Sequence, residues 1–459
     1  MLRIGSAEGF YGDDVTRALP MIEGGHVDVV CFEALSELTL AILRRDQLRD
    51  PTRGYTRDIE IIAERILPLA RARHIPLITN GGGLNPLGAA AVVRRAAERH
   101  GLRGLKIATV TGDDLLPRLG ELLASGAPLT NIETGQPLGL DGPPVVAANA
   151  YLGAWPIVEA LRQEADIVIT GRVADPCLYL APLIHHFGWQ ADDWNRLAAG
   201  VVCGHLLECT GQVVGGNSLA LLDDIEPAAL AYPGYPIAEV EEDGSFILTK
   251  VPATPGRITQ ATIKEQLLYE MHDPRAYLTP DVSADITTLR LADAGPDRVR
   301  VSGVSGHSRT ATLKVNIARM AGYSRELIFT LGWPRAWQKE AQLRGMLAAA
   351  WEGLPITQIE YQHLGQDSLY GSLVPPAADP IELIVRVMFT AADADTLKTA
   401  VRRAMALGLS GPAGMAVSGT TVGAEPRALL GLWPALLDRT LVEPGVTVTI
   451  VELSYANLS

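Results

Sequence analysis

Two short stretches carry the residue types that polar chemistry needs. In Asp166–Asp175, an apolar run from Ile167 to Thr170 is broken by Gly171, and Arg172 and Asp175 follow where the chain turns into the next helix. A guanidinium at a strand end can hold a carboxylate or phosphate bidentately. Asp175 can orient it, cap the following helix, or form with it a purely structural ion pair. The second stretch, Leu197–Thr210, reads as a helix with His205, Glu208 and Cys209 on one face, at i, i+3 and i+4. His205 and Glu208 suit an acid/base pair that moves a proton α to a carbonyl and to or from a departing hydroxyl. Zinc ligation, helped by Cys203 or Cys209, is a lesser reading, because the second ligand pair and any His-x-x-x-His are missing. The structural alternative is a helix whose His and Glu pair with neighbouring groups.

Further candidates sit at the ends of other apolar runs. Asn80, Gly81, Gly82 and Gly83, followed by Asn85, can turn backbone N–H groups toward an anion. No Gly-Lys-Ser/Thr follows, so this is not a Walker loop, and the spacing is not the dinucleotide fingerprint. NAD is therefore disfavoured and no cofactor is expected. Glu33, directly after a mostly apolar strand, is a general-base candidate whose partial burial would raise its pKa. Asp13-Asp14 and Asp113-Asp114 each follow a glycine, and read as helix caps or, secondarily, as carboxylates for Mg²⁺. Cys31 reads as a small buried hydrophobe, with a nucleophile as the alternative. Asn217 closes the glycine-rich exit 212–216 and is a substrate-contact candidate.

The elements that must position these residues form a regular series. Strands are expected at Leu2–Gly5, Val27–Cys31, Ile75–Thr79, Leu105–Val110 and Ile167–Thr170, alternating with helical patterns. That alternation predicts an α/β fold with a doubly wound, mostly parallel sheet over residues 1–218. Polar and glycine tips then gather along one carboxyl edge, where such folds bind ligands. Residues 219–320 read as an irregular β-rich connecting region, with a hairpin around Ala294–Asp297. Residues 321–459 read as β-α-β-β-α-β, an α+β ferredoxin-like domain, with a Gly/Pro-rich excursion at Ser410–Gly445 before the last strand.

Composition narrows the partners. A formal net charge of -13 argues against nucleic acid and anionic membrane surfaces. No apolar run approaches the ~20 residues of a membrane helix, and the N-terminus opens into a strand without signal-peptide features. The four cysteines form no CxxC pair, so a reduced, cytoplasmic protein is expected. A homo-oligomer is the expectation from base rates.

Several runs together resemble the acyclic terpene utilisation AtuA family. They are Thr79-Asn-Gly-Gly-Gly-Leu-Asn-Pro86, Thr111-Gly-Asp-Asp-Leu-Leu116, Ala148-Asn-Ala-Tyr-Leu-Gly-Ala154, Ile169-Thr-Gly-Arg-Val-Ala-Asp175 and Gly204-His-Leu-Leu-Glu-Cys209. Glu265-Gln-Leu-Leu-Tyr-Glu270, Asp273-Pro274 and Pro280-Asp281 extend the match, which covers about residues 1–320 in the family's order. After Gly215-Gly216 the chain departs from the family pattern, continuing Asn217-Ser218-Leu219. The resemblance implies an enzyme of small-acid or acyl-thioester breakdown. Hydratase or lyase chemistry on an unsaturated or hydroxylated carboxylate, or its CoA thioester, suits such pathways. Arg172, Gly171 and the Asn80–Gly83 loop would hold the anion, and His205, Glu208 and Glu33, with Asp175, would handle protons. An acyl-CoA- or partner-binding subunit without turnover, and a hydrolase using Cys31 or Cys209, are the alternatives. With Arg172 as a ligand clamp, Arg172→Ala is expected to leave the melting temperature nearly unchanged.

Overall fold

The five apolar runs are short and β-branched, and each is closed by glycine, asparagine or a charged residue, so each ends abruptly at a polar tip. A computed structural model describes residues 1–127, 129–139, 141–373 and 375–453. It forms strands β1 (Leu2–Glu8), β2 (Val29–Phe32), β3 (Leu77–Thr79), β4 (Lys106–Thr111), β5 (Val145–Ala150) and β6 (Ile167–Thr170). The five expected strands pair in parallel in the order β1-β2-β3-β6-β4. They are buried nearly throughout, as strands covered on both faces must be. β5 lies outside this sheet and had no clear signal in the sequence.

The sheet is larger and more mixed than expected. Pro236–Val240 and Phe246–Lys250 add antiparallel strands beyond β1, and the hairpin Arg290–Asp293 with Val299–Ser302 continues the sheet. Much of the stretch set apart as a connecting region therefore extends the first sheet. On the other side, Thr447–Glu452 pairs antiparallel with β4. This corrects the ferredoxin-like expectation, because the strand meant to complete that pattern belongs to the ten-stranded sheet. Sequence order alone could not assign it: alternating Val and Ile suit either sheet.

The chain divides into two compact units, Met1–Gly139 with Val146–Ile317 and Leu432–Ser459, and Leu140–Val145 with Ala318–Gly431. In the second unit, Glu382–Ala391 lies between Ile356–Leu364 and the long strand Thr312–Gly332, which continues into it from the first unit. Helices Ala336–Ala350 and Ala394–Met405 pack on these strands through Leu343, Leu347, Leu397 and Ala400. The Gly/Pro-rich excursion is more ordered than expected, holding strands Met415–Val417 and Arg427–Asp438. Among the described residues no helix is long and apolar enough to cross a membrane.

Ending the chain at Gly445 would leave β4 as an open edge able to pair with another chain. At about 0.2–1 kcal/mol per cross-strand pair, loss of 447–452 is expected to lower the denaturant midpoint and promote aggregation. An unchanged midpoint would show that this strand contributes nothing to the sheet.

Candidate active site

The tips of the parallel strands converge on a buried, densely charged layer. Glu8 ends β1, Glu33 follows β2, Asn80 follows β3, Asp113 lies beyond β4 and Arg172 beyond β6. All five are at most 7% exposed. Burying so many ionisable groups is tolerable only if they pair or give up their charge, and both occur.

Arg172 is the one guanidinium of this layer. Its backbone N–H donates to Asp113 Oδ2 at 2.8 Å, its Nη1 donates to the Leu35 carbonyl and lies 3.0 Å from Asp175 Oδ1, and its Nε has no partner. The guanidinium stacks 4.1 Å from the centre of the Tyr151 ring. Tyr151 is delivered by the segment after β5, which hydrogen-bonds along Asp113 and Arg172–Ala174. Tyr151 Oη donates to Glu37, which also takes Lys314 Nζ at 3.0 Å. Burial pushes the Glu37 carboxyl up, but Tyr151, Lys314 and Arg172 outweigh it and hold it down at about 2. Burial likewise opposes the charge of Arg172, and Asp175, Tyr151, Glu33 and Glu37 more than restore it.

Gly171 is required by close packing, since a Cβ there would stand 2.3 Å from Asp113 Oδ1. Asp113, read from the sequence mainly as a cap, instead accepts from Arg172 N and, at 2.9 Å, from Asn149 Nδ2. Burial lifts its carboxyl to about 6, against those two hydrogen bonds.

The 80–83 bend does lie beside residue 172, but packed rather than open. A Cβ on Gly82 would come within 2.5 Å of the Thr170 carbonyl at the end of β6. The N–H groups of Gly81, Gly83 and Asn85 donate to Thr79 Oγ1, the Asn80 carbonyl and the Gly82 carbonyl. Asn80 accepts from Ala34 N at 2.8 Å and donates to Glu33 Oε1 at 2.9 Å. These residues therefore hold Glu33 in place through Asn80. Asn85 caps the helix Pro86–Arg99, accepting from Gly88 N, and ties down Thr52 and Arg53. Burial, then Asp175, raise Glu33 well above the carboxylate range, with Arg172 and Asn80 opposing.

The helix Trp194–Glu208 brings in the second pair. His205 Nε2 is 3.0 Å from the Gln266 carbonyl, which can only accept, so Nε2 carries a hydrogen. His205 Nδ1 is 2.9 Å from Glu208 Oε1. One proton therefore lies between them, on an imidazolium beside a carboxylate or on a carboxylic acid beside a neutral ring. Burial lowers the basicity of His205 and raises Glu208, which Asp175 and Glu270 push further up. Both causes place the proton on Glu208. Glu208 Oε2 is buried and has no partner. Arg172, Asp175 and Glu208 are near enough for charge to act between Arg172 and each carboxyl and between Asp175 and Glu208.

A cavity of about 470 Å³ adjoins this pair, lined by Asp13, Arg17, Cys209, Gln212, Asn217 and Tyr235 among others. Gln212 donates to Gln266 Oε1 at 2.8 Å, and Gln266 Nε2 donates to the His205 carbonyl, which links the cavity wall to the acid/base helix. Asn217 is exposed on this cavity with φ 56° and donates to Gln212. Asp13 accepts from Gly9 N, Thr210 Oγ1 and Tyr235 Oη.

Glu8 escaped the sequence reading, although it ends β1 as Glu33 follows β2. Both its oxygens are buried without a partner, and burial, then Asp58, raise it well above the usual range. Tyr151, Gln266 and Glu270 lie in runs that carry the family resemblance and Glu37 in the helix after β2, but nothing local marks any of them as part of the site. The thiols of Cys31 and Cys209 are pushed up by burial, the opposite of what a nucleophile needs. Among the described residues no group of three or more His, Cys, Asp or Glu is arranged to hold a metal.

The packing around Arg172 revises the expectation for its removal. Arg172→Ala leaves the buried Asp175 without its ion-pair partner and should cost about 3–5 kcal/mol of stability, read as a lowered urea midpoint; an unchanged midpoint would restore the role of a ligand clamp. The raised carboxyls also set the pH dependence. Glu8, Glu33, Asp113, Asp175 and Glu208 bind protons more tightly folded than unfolded. Their contribution is complete below their unfolded values of about 4 and is lost as pH rises through the folded ones. Lowered carboxyls such as Glu37 act only below that range, while the lowered His205 and His185 work against the trend within it and are outnumbered by the five carboxyls. The urea midpoint should therefore be higher at about pH 5 than at about pH 8, with a smaller difference in Glu208→Gln. A midpoint that rises over this interval would contradict the assignment.

No curated protein and no solved structure matches the chain in comparison. A family model described as acyclic terpene utilisation family protein AtuA matches residues 2–448. The chain that builds this buried acid/base layer belongs to the AtuA family.

Proposed function

We propose that the protein is a catabolic enzyme of terpenoid breakdown that adds or removes water, acting on a small unsaturated or hydroxylated carboxylate or its thioester. The observation that carries this reading is the His205–Glu208 pair, which shares one proton in a buried site while Glu208 Oε2 has no partner. Elimination of water needs a base for the α-proton and an acid for the leaving hydroxyl. Glu208 in its protonated form gives its proton to the leaving hydroxyl, Glu33 in its carboxylate form takes the α-proton, and His205 Nδ1 steadies the Glu208 proton before transfer. Glu33, held by Asn80 and the Leu35 N–H at 2.7 Å, is the second proton carrier. Two carboxyl groups in different surroundings can be tuned to opposite tasks. The substrate would enter by the cavity at Gln212, Asn217 and Tyr235, with Arg17 as the cation at its wall. Arg172 acts as the fixed countercharge, and Asp175 orients it.

The burial of Glu33 and Glu208 also favours a second reading, a subunit that binds an acyl thioester without turning it over. A screen of branched enoic and 3-hydroxy acids and their CoA esters, followed by loss of enoyl absorbance and by deuterium uptake from heavy water, separates the two. Glu208→Gln should fall by about 10²–10⁴-fold in turnover while still binding ligand. Ligand-induced stabilisation with neither absorbance change nor deuterium uptake would establish the binding subunit instead.

A further inference from the structure

A second cavity of the first unit, of about 450 Å³, shares no lining residue with the first. Trp155, Pro156, Leu313 and Val448 supply an apolar wall, and Gly153, Asp281 and Arg309 supply its polar end. Asp281 is 1% exposed. Its Oδ2 accepts from Ala154 N at 2.9 Å and from Cys177 Sγ at 3.1 Å, whereas Oδ1 is buried with no partner. Residue 153 is glycine where a Cβ would stand 2.5 Å from that oxygen, so the backbone packs against Oδ1 without a side chain to pair with or displace it. Arg309 lies 3.3 Å from Glu443, which also takes Arg439 at 3.1 Å, and both arginines act on Asp281.

We propose that this cavity binds a small, largely apolar alcohol whose hydroxyl donates to Asp281 Oδ1 and accepts from Arg309. A hydroxyl is the one simple group that offers a donor and an acceptor at a single atom without bringing charge. A carboxylate would set a second anion against Asp281, and an ammonium would meet two arginines. A plain hydrocarbon would leave Oδ1 buried and unpaired. The volume is that of a small-molecule site, and the apolar wall supplies the driving force.

Saturation-transfer NMR and calorimetry on the full chain, with 1-octanol as probe against octanoate and octylammonium, test this assignment. Octanol should bind saturably at one site and more tightly than either ion. Ala191→Trp, which narrows the mouth from an exposed position, should abolish binding, and Arg309→Met should weaken it about tenfold. Glu208→Gln should bind octanol as the native protein does, which keeps this result separate from the acid/base reading. Absence of saturable binding, binding indifferent to Ala191→Trp, tighter binding of octanoate, or loss in Glu208→Gln would each overturn the proposal.

Discussion

Everything at the carboxyl edge of the parallel sheet answers to one constraint: a single buried guanidinium faces more carboxyl groups than it can neutralise. Arg172 lies among Glu33, Glu37 and Asp175, and its field reaches Glu208. Glu37 stays ionised because Tyr151 and Lys314 support it, and it alone is held low. The remaining acids of the layer are all pushed upward, since a buried carboxylate without a partner costs more than a neutral acid. The charge balance of this layer thereby separates one carboxyl held low, Glu37, from several pushed upward.

That sorting is the chemical content of the site. A protonated carboxyl beside a neutral imidazole is a store for one movable proton, and its position is fixed by the carbonyl of Gln266 on the far side of the ring. The glycines nearby serve close approach more than ligand binding. Gly82 and Gly171 let the tips of β3, β4 and β6 come together, and Asn80 turns a would-be anion nest into a clamp on Glu33. Membership of the AtuA family places this chain among acyclic terpene utilisation proteins.

The acid/base layer and the two cavities divide polar and apolar tasks. The first cavity is walled by amide, hydroxyl and charged groups from Asp13, Arg17, Gln212, Asn217 and Tyr235. The second is mostly hydrocarbon with one buried, unpaired carboxyl oxygen at its polar end. Cys177 opens the helix after Asp175 and donates its thiol hydrogen to Asp281 at the second cavity.

The sequence by itself determined the five parallel strands and the identity of their tips. Apolar runs of β-branched residues, each ended by a glycine or a polar side chain, leave the local backbone little choice. It also placed His205 and Glu208 on one helical face, because the period of a helix is a local property. Which charges survive was decided only by tertiary structure. Tyr151, Lys314 and Gln266 come from distant segments, Glu37 from the helix just after Glu33, and each changes the protonation or the tautomer of a neighbour in the site. The place of Thr447–Glu452 was likewise settled by packing, since an alternating strand carries no label for its sheet and joins whichever open edge lies within its reach.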